Sequence, residues 1–201
     1  MNVLLLGSKS PSRRMLLTDA KIPYVIVEQN ADESVCDWGQ SLQKVVESIA
    51  AYKMDHLILP EGTKYGQVCF VLTADTLSED SSGMISGKPV DYEDAIKKLR
   101  AARTGMRTGT AFCLDRKVWQ QGTWMTEKRI AAFADAHYEF NVPDDWIERY
   151  IENSDSLQVT QAIAIEGYGA QFVRMVHGSY TAIVGLPMYE LRTALEELGF
   201  F

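Results

Sequence analysis

The stretch Val3-Leu4-Leu5-Leu6-Gly7-Ser8-Lys9-Ser10-Pro11-Ser12-Arg13-Arg14-Met15-Leu16-Leu17, residues 3–17, decides how the chain folds. Val3 to Leu6 is a short apolar run, read as a buried strand. Gly7-Ser8-Lys9 turns the chain, and Ser10-Pro11 opens a helix, with Ser10 as N-cap and Pro11 at the first helical position. Met15, Leu16, Leu17 and Ala20 are expected on the buried side of that helix. A strand running through a tight turn into a helix is the opening unit of a layered α/β fold.

Outward from this unit the alternation continues. Tyr24 to Val27 reads as a second strand, followed by the acidic pair Asp32-Glu33. From Ser41, Leu42, Val45, Val46 and Ile49 keep the spacing of one helical face, predicting a helix through Lys53. Residues 60–67 are expected to form a loop. Val68 to Thr73 then reads as a continuous apolar strand ending at Ala74-Asp75-Thr76, and Asp91 caps a helix carrying Ala95, Ile96 and Leu99. Phe112 to Trp119 and Ile130 to Phe140 predict two long hairpin strands joined across residues 120–127. Pro143 to Asn153 reads as a helix, Gln171 to Val176 as a strand, and a last helix opens at Pro187 and stops before Gly199. No internal repeat and no low-complexity linker interrupts this order. Strands and helices that alternate, then a long hairpin, predict a mixed α/β architecture in a single domain, residues 1–201.

Composition narrows the function. Of 201 residues, 46% are apolar and 23% charged, enough for a real core and unlike a disordered chain. Lys plus Arg number 20 against 27 Asp plus Glu, a net charge of −7, which argues against duplex nucleic acid as a partner. The three cysteines, Cys36, Cys69 and Cys113, lack the spacing of a disulfide framework or a zinc site and suit a reducing compartment. No apolar run approaches the roughly 18 residues of a membrane span, and the N-terminal run is too short for a signal peptide. The expected setting is cytoplasmic, with no membrane partner.

Chemistry concentrates at a few positions. The N-terminus of the first helix presents free backbone N–H groups, and Ser8, Lys9, Ser10, Arg13 and Arg14 converge on the same turn. Two cations at a positive helix end are unfavourable unless an anion answers them, which favours phosphate. The P-loop spacing is absent. Asp75 is expected at the end of its strand, where α/β proteins place their sites, with Thr76 holding it by a local hydrogen bond; a turn-forming Asp fits equally. Asp32-Glu33 reads either as a solvated loop or, paired with another carboxylate around Mg²⁺, as a centre that balances phosphate charge. Lys88, between Gly87 and Pro89, stands on a defined turn suited to reach a phosphate or to lie at the surface. Lys53 suits its helix C-terminus through the dipole. His56, His137 and His177 share no ligand spacing, and His177 before Gly178 reads as a turn residue.

Together these residues resemble the Maf-like nucleoside triphosphate pyrophosphatases. Gly7 to Arg14 followed by Leu16-Leu17 is similar to the family's SxSxRRxxLL opening, Asp32-Glu33 to its DE, and Lys53 to the lysine of its AxxK. Ala74-Asp75-Thr76, Gly87-Lys88-Pro89 and Gly185-Leu186-Pro187 resemble its ADT, GKP and GLP, in order along nearly the whole chain. The resemblance implies an elongated mixed α/β fold like that of the inosine triphosphate pyrophosphatases, with two lobes around a cleft. It implies hydrolysis of a nucleoside triphosphate, standard or base-modified, to the monophosphate plus pyrophosphate with a divalent metal, Mg or Mn, and a possible homodimer. By the same resemblance Ser8, Ser10, Arg13 and Arg14 hold phosphates, and Lys53 and Lys88 neutralise the leaving pyrophosphate. Glu33 and Asp75 hold metal, and Asp75 orients or deprotonates the attacking water.

The chain also departs from the pattern. Aligned on Glu166-Gly167, Thr160-Gln161 replaces the family's Ala-Gly pair, and residues 101–113 match poorly the family's SGxxHxVxTG. Glu166-Gly167-Tyr168-Gly169 resembles the branch acting on methylated guanosine triphosphates, whereas Asp75-Thr76 resembles the pyrimidine branch, so the base stays open. Two functions follow: a metal-dependent pyrophosphatase, favoured by the retained carboxylates and lysines, or a catalytically weak nucleotide-binding regulator of cell division, favoured by the altered Thr160-Gln161 wall.

Overall fold

The opening apolar run forms β1 (Leu4–Leu6), whose three side chains are fully buried between two parallel neighbours. The structure is a computed structural model that describes residues 2–62, 64 and 66–201. Met1, and Thr63 and Tyr65 of the expected 60–67 loop, lie outside the described residues; the described part of that loop has no helix or strand. After β1 come α1 (Pro11–Asp19), β2 (Tyr24–Ile26), β3 (Glu28–Gln29), α2 (Leu42–Asp55), β4 (Leu57–Ile58) and β5 (Val68–Asp80). They are followed by β6 (Ile85–Ser86), α3 (Tyr92–Ala101), β7 (Met106–Gln120), β8 (Thr123–Phe140) and α4 (Ile147–Glu152). The chain closes with β9 (Val173–Gly178), α5 (Tyr180–Val184) and α6 (Met188–Glu197). The main sheet has seven strands in the order β2-β1-β5-β7-β8-β9, with β6 beside β5; β1 pairs in parallel and the rest antiparallel. The mixed α/β class read from the sequence is the class observed.

The long hairpin is tighter and longer than the apolar pattern predicts. Gln121 and Gly122, both at positive φ (51° and 80°), make a two-residue turn whose twist matches the paired strands. Gln120 and Thr123 to Glu127, expected in the connection, are strand instead. At the far end β7 starts at Met106, six residues early, because Thr108 and Thr110 are buried polar residues whose hydroxyls find partners on neighbouring elements. Thr108 Oγ1 lies 2.7 Å from Ser78 Oγ and 2.9 Å from the Tyr138 hydroxyl, and Thr110 Oγ1 donates to the Ala182 carbonyl at 2.7 Å. The expected strand from Gln171 begins instead at Val173, after a 3₁₀ segment, and His177 lies in β9 opposite His137 of β8.

β5 organises the core. Its even positions Phe70, Leu72 and Ala74 pack with Leu4, Leu6, Leu17 of α1 and Leu191 and Leu195 of α6. Its odd positions Cys69, Val71 and Leu77 face α2 and its surroundings. α2 buries Val45, Val46 and Ile49 there, each contributing roughly 1.5–3 kcal/mol, and the same stripe one turn on carries Lys53 beneath the sheet. On α1 the buried side is Ser12, Arg13 and Leu17; Met15 and Ala20, expected inside, are exposed. Burial pushes the thiols of Cys69 and Cys113 up to about 11 and about 12, so both stay protonated and pack as small apolar groups.

One feature of the strand arrangement opens the site. β1 pairs with β5 only at Phe70–Leu72, extended by the Gly7 N–H to the Leu72 carbonyl (2.8 Å), and β6 pairs with it at Ser78 and Glu79. Among the described residues no strand fills that side of β5 between these two pairings. Gly7 marks where the chain leaves the sheet: a Cβ there would lie 2.5 Å from Leu57 Cδ2 and 2.9 Å from Thr73 Cγ2. Gly7→Ala is expected to destabilise the fold by about 1–3 kcal/mol, read as a lower denaturation midpoint with an unchanged slope. An unchanged midpoint would show that Leu57 yields freely.

Candidate active site

The gap beside β5 is the floor of a cleft of about 640 Å³, within the range of small-molecule sites. Because Asp75 and Thr76 point to opposite faces of β5 and the strand's flank is open between them, both line the same cleft. Asp75 therefore lies in the interior of a 13-residue strand, not at its end as the sequence suggested. The strand that does end at the site is β1, whose exit supplies Gly7, Ser8 and Lys9 to the rim.

Asp75 is 6% exposed, and its Oδ1 accepts a 2.7 Å bond from Lys53 Nζ. The same ammonium lies 2.8 Å from Glu33 Oε1, which comes from a 3₁₀ turn (Glu33–Val35) capped by the Asp32 side chain. Lys53, which its helix position alone explained as a dipole partner, is thus a buried cation bridging two carboxylates. An ammonium has three donors, so one remains for a ligand. The second oxygen of Asp75, Oδ2, is buried and accepts no hydrogen bond in the protein. An unmet carboxylate oxygen at this depth is costly unless a water, a cation or a ligand answers it.

Arg13 is also buried, 8% exposed, and three of its five donors are used. Nε donates to the Gly185 carbonyl (2.8 Å), Nη1 to Ser8 Oγ (3.1 Å) and Nη2 to Thr76 Oγ1 (2.9 Å). Thr76 also pairs with Thr110 (2.8 Å) and does not hold Asp75, because alternation along β5 turns the two side chains apart. Burial lowers the pKa of Arg13, against the opposing pull of Asp75 and Glu33; a guanidinium remains charged regardless. Ser10 Oγ is the N-cap of α1, accepting the Arg13 N–H at 3.5 Å. Arg14, placed with the phosphate group by the sequence, is not among the cleft-lining residues, and its Nε is buried without a partner.

Lys88 is exposed at the opposite rim, with its pKa lowered by partial burial first and then by Arg13 and Lys53. All three cations line the one cleft. Glu166 lines the far wall; its carboxyl pKa is raised, chiefly by burial, with the Ser12 hydroxyl partly offsetting the shift. The lining holds four cations, Lys9, Arg13, Lys53 and Lys88, against the three carboxylates Glu33, Asp75 and Glu166. A triphosphate would exceed that balance, so a further cation is needed to neutralise it. Among the described residues no cluster of three or more His, Cys, Asp or Glu side chains forms a metal site by itself. Two carboxylates do suit Mg²⁺, which is commonly held by one or two carboxylates plus substrate phosphates, and the unpartnered Asp75 Oδ2 fits that use.

The structure thus brings together Ser8, Ser10, Arg13, Glu33, Lys53, Asp75 and Lys88 and leaves Arg14 aside. It adds Ser12, Trp38 and the Gly185 carbonyl, and of the expected wall around Thr160-Gln161 it places Thr160 and Ile163, but not Gln161, along the cleft. Gly185 carried a signal, since Gly185-Leu186-Pro187 was one of the resembling motifs. Thr160, whose hydroxyl donates to the Thr76 carbonyl at 2.9 Å, had none beyond its departure from the pattern.

Comparison with known proteins bears on this arrangement. A family model described as Maf-like protein matches residues 3–198. A protein of Acholeplasma laidlawii named dTTP/UTP pyrophosphatase is 33% identical, covering 99% of this chain and 96% of the relative. Proteins of the same name from Caldicellulosiruptor saccharolyticus and Cupriavidus metallidurans are each 30% identical, covering 100% and 98% of this chain and 96% and 98% of the relatives.

Proposed function

The chain belongs to the Maf-like protein family, and from that premise we propose that it is a nucleoside triphosphate pyrophosphatase acting on pyrimidine nucleotides of the dTTP and UTP type. The observation that carries the reading is the buried, unpartnered Oδ2 of Asp75 facing a cation-lined cleft. That oxygen is a proton acceptor held beside the place where phosphates are drawn in. The names of the relatives support the pyrimidine side of the two base signals in the sequence.

In this reading the phosphate chain lies across the N-terminus of α1, where backbone N–H groups and the two free donors of Arg13 receive it. Ser8 fixes the guanidinium, and Ser10 fixes the helix end. Asp75 Oδ2 accepts a proton as water attacks the α-phosphorus. The bond from that phosphorus to the bridging oxygen breaks, and its electron pair leaves on pyrophosphate. The third donor of Lys53 and the ammonium of Lys88 stabilise this departing charge, in a site where electrostatic placement supplies most of the rate. Glu33, together with phosphate oxygens of the substrate, would hold a divalent cation, Mg or Mn, which would screen the phosphates and acidify water, leaving Asp75 Oδ2 for the proton.

Pyrophosphate release from a panel of standard and methylated nucleoside triphosphates, with Mg²⁺, with Mn²⁺ and without metal, tests this reading. Metal-dependent release with preference for dTTP and UTP is expected. A methylated guanosine preference would overturn the base assignment, and binding without turnover would make the chain a nucleotide-binding regulator. Arg13→Ala is expected to weaken nucleotide binding by about 1.5–3 kcal/mol, the range for hydrogen bonds to charged groups. Calorimetric titration well below the unfolding temperature reads this directly; unchanged affinity would remove Arg13 from the phosphate site.

A further inference from the structure

Gln161 occupies a conformation that its side chain disfavours. It is the central residue of a 3₁₀ turn (Thr160–Ala162) at φ 58° and ψ 16°, and Ala162 follows, also at φ 58°. Two consecutive non-glycine residues in the left-handed region are strained, and such a backbone persists only where its surroundings hold it. Glycine takes this conformation without cost, so a side chain in its place exchanges strain for something else.

The side chain accounts for the exchange. Gln161 is 3% exposed, and every bond it makes reaches the turn that carries Lys88 or the helix behind it. Its backbone N–H donates to the Gly87 carbonyl at 3.0 Å. Ser86 Oγ donates to its Oε1, and its Nε2 donates to the Lys98 carbonyl at 3.4 Å. Lys98, paired with Asp94 at 3.2 Å, in turn donates from Nζ to the carbonyls of Gly87 (3.0 Å) and Lys88 (2.9 Å). The peptide units on both sides of the Lys88 Cα are therefore held, one of them by Gln161 and Lys98 together. Neither Ser86, Lys98 nor Gln161 lines the cleft, so none of them touches a nucleotide there.

We propose that Gln161 is a positioning residue for Lys88: its side chain latches the Ser86–Pro89 turn to the cleft wall, in exchange for a strained backbone. The proposal rests on the pyrophosphatase reading, in which Lys88 faces the departing pyrophosphate. A latch of this kind aids catalysis while it opposes stability, and a merely structural residue would not show that opposition.

The test compares Gln161→Gly and Ser86→Ala with the unaltered protein. Gln161→Gly removes the side-chain bonds to Ser86 and to the Lys98 carbonyl and relieves the strain at this position, while the backbone bond to Gly87 stays, so the unfolding temperature is expected to stay or rise while kcat falls about 10–100-fold, the scale of a small misplacement of a catalytic group. KM is expected to change less than about threefold, because Lys88 meets more charge on the leaving group than on the substrate. Ser86→Ala should lower kcat similarly, and the double variant should lose no more than the single ones. Binding of inorganic pyrophosphate, measured by calorimetry, should weaken about tenfold in Gln161→Gly, by the same loss of a charged contact. Unchanged kcat and unchanged pyrophosphate affinity would overturn the proposal, whatever the unfolding temperature does. If the unaltered protein releases no pyrophosphate, the pyrophosphatase reading fails, and the binding comparison still decides the latch.

Discussion

Asp75→Asn is expected to slow pyrophosphate release by on the order of 10²–10⁴-fold, the usual contribution of a positioned proton acceptor. The substitution keeps the volume of a side chain that is 8% exposed and sits within a paired strand, so the fold has little to repack. It removes the charge that answers Lys53 and, more to the point, the carboxylate oxygen that is buried yet accepts no hydrogen bond in the protein. An amide cannot take the proton of the attacking water. Nucleotide affinity should stay within about tenfold, because Arg13 and Lys88 still meet the phosphates and lose no contact of their own. Rate and affinity measured together separate the outcomes: loss of kcat alone fits a proton acceptor, and a retained rate would remove Asp75 from the chemistry.

Lys53→Met has the largest expected effect on the fold. Lys53 Nζ is the shared partner of Asp75 and Glu33, at 2.7 and 2.8 Å, and its side chain is 9% exposed. Taking one partner from a buried ion pair leaves an uncompensated charge, at a cost of about 3–5 kcal/mol. In a domain of this size that lowers the unfolding temperature by roughly 6–20 °C. Glu33, whose side chain is 42% exposed, can return to water, so most of the deficit falls on Asp75. Adding Asp75→Asn to Lys53→Met should therefore recover much of the stability and none of the activity. Equal unfolding temperatures for Lys53→Met and the unaltered protein would show that the bridge contributes nothing to folding.

The two variants also mark how far the sequence was legible. The β1–turn–α1 unit, α2, the Asp91-capped α3 and α6 all carry local signals, apolar spacing and capping residues, and the structure places them close to where those signals put them. The apolar run predicts that β5 ends at Ala74-Asp75-Thr76, but the strand continues to Asp80 through the polar residues Ser78 and Glu79. In three dimensions Ser78 is buried against Thr108, and Glu79 meets Arg107 at 3.3 Å, so polar residues continue the strand. The start of β7 was missed for the same reason. Cross-strand partners decide both, and a single strand's composition does not show its neighbour.

The site followed a similar rule. Ser8, Arg13, Glu33, Lys53, Asp75 and Lys88 could be picked out because charge in unusual places, cations at a helix N-terminus or a carboxylate after an apolar run, asks for an explanation. Their arrangement could not. That Arg13 reaches 172 residues along the chain to Gly185, and that Lys53 serves two carboxylates at once, follows from the gap between β1 and β6 along β5. Gln161 was visible only as a departure. Its backbone angle and its hold on the Ser86–Pro89 turn turn that departure into a mechanical statement about Lys88.

Hydrolysis of UTP or dTTP in H₂¹⁸O, with the products resolved by mass spectrometry, reads which phosphorus the water attacks. Attack of water on the α-phosphorus, directed by Asp75 with pyrophosphate leaving toward Lys53 and Lys88, predicts ¹⁸O in the nucleoside monophosphate and unlabelled pyrophosphate. Label in the pyrophosphate, or release of orthophosphate in its place, would contradict that assignment of the cleft.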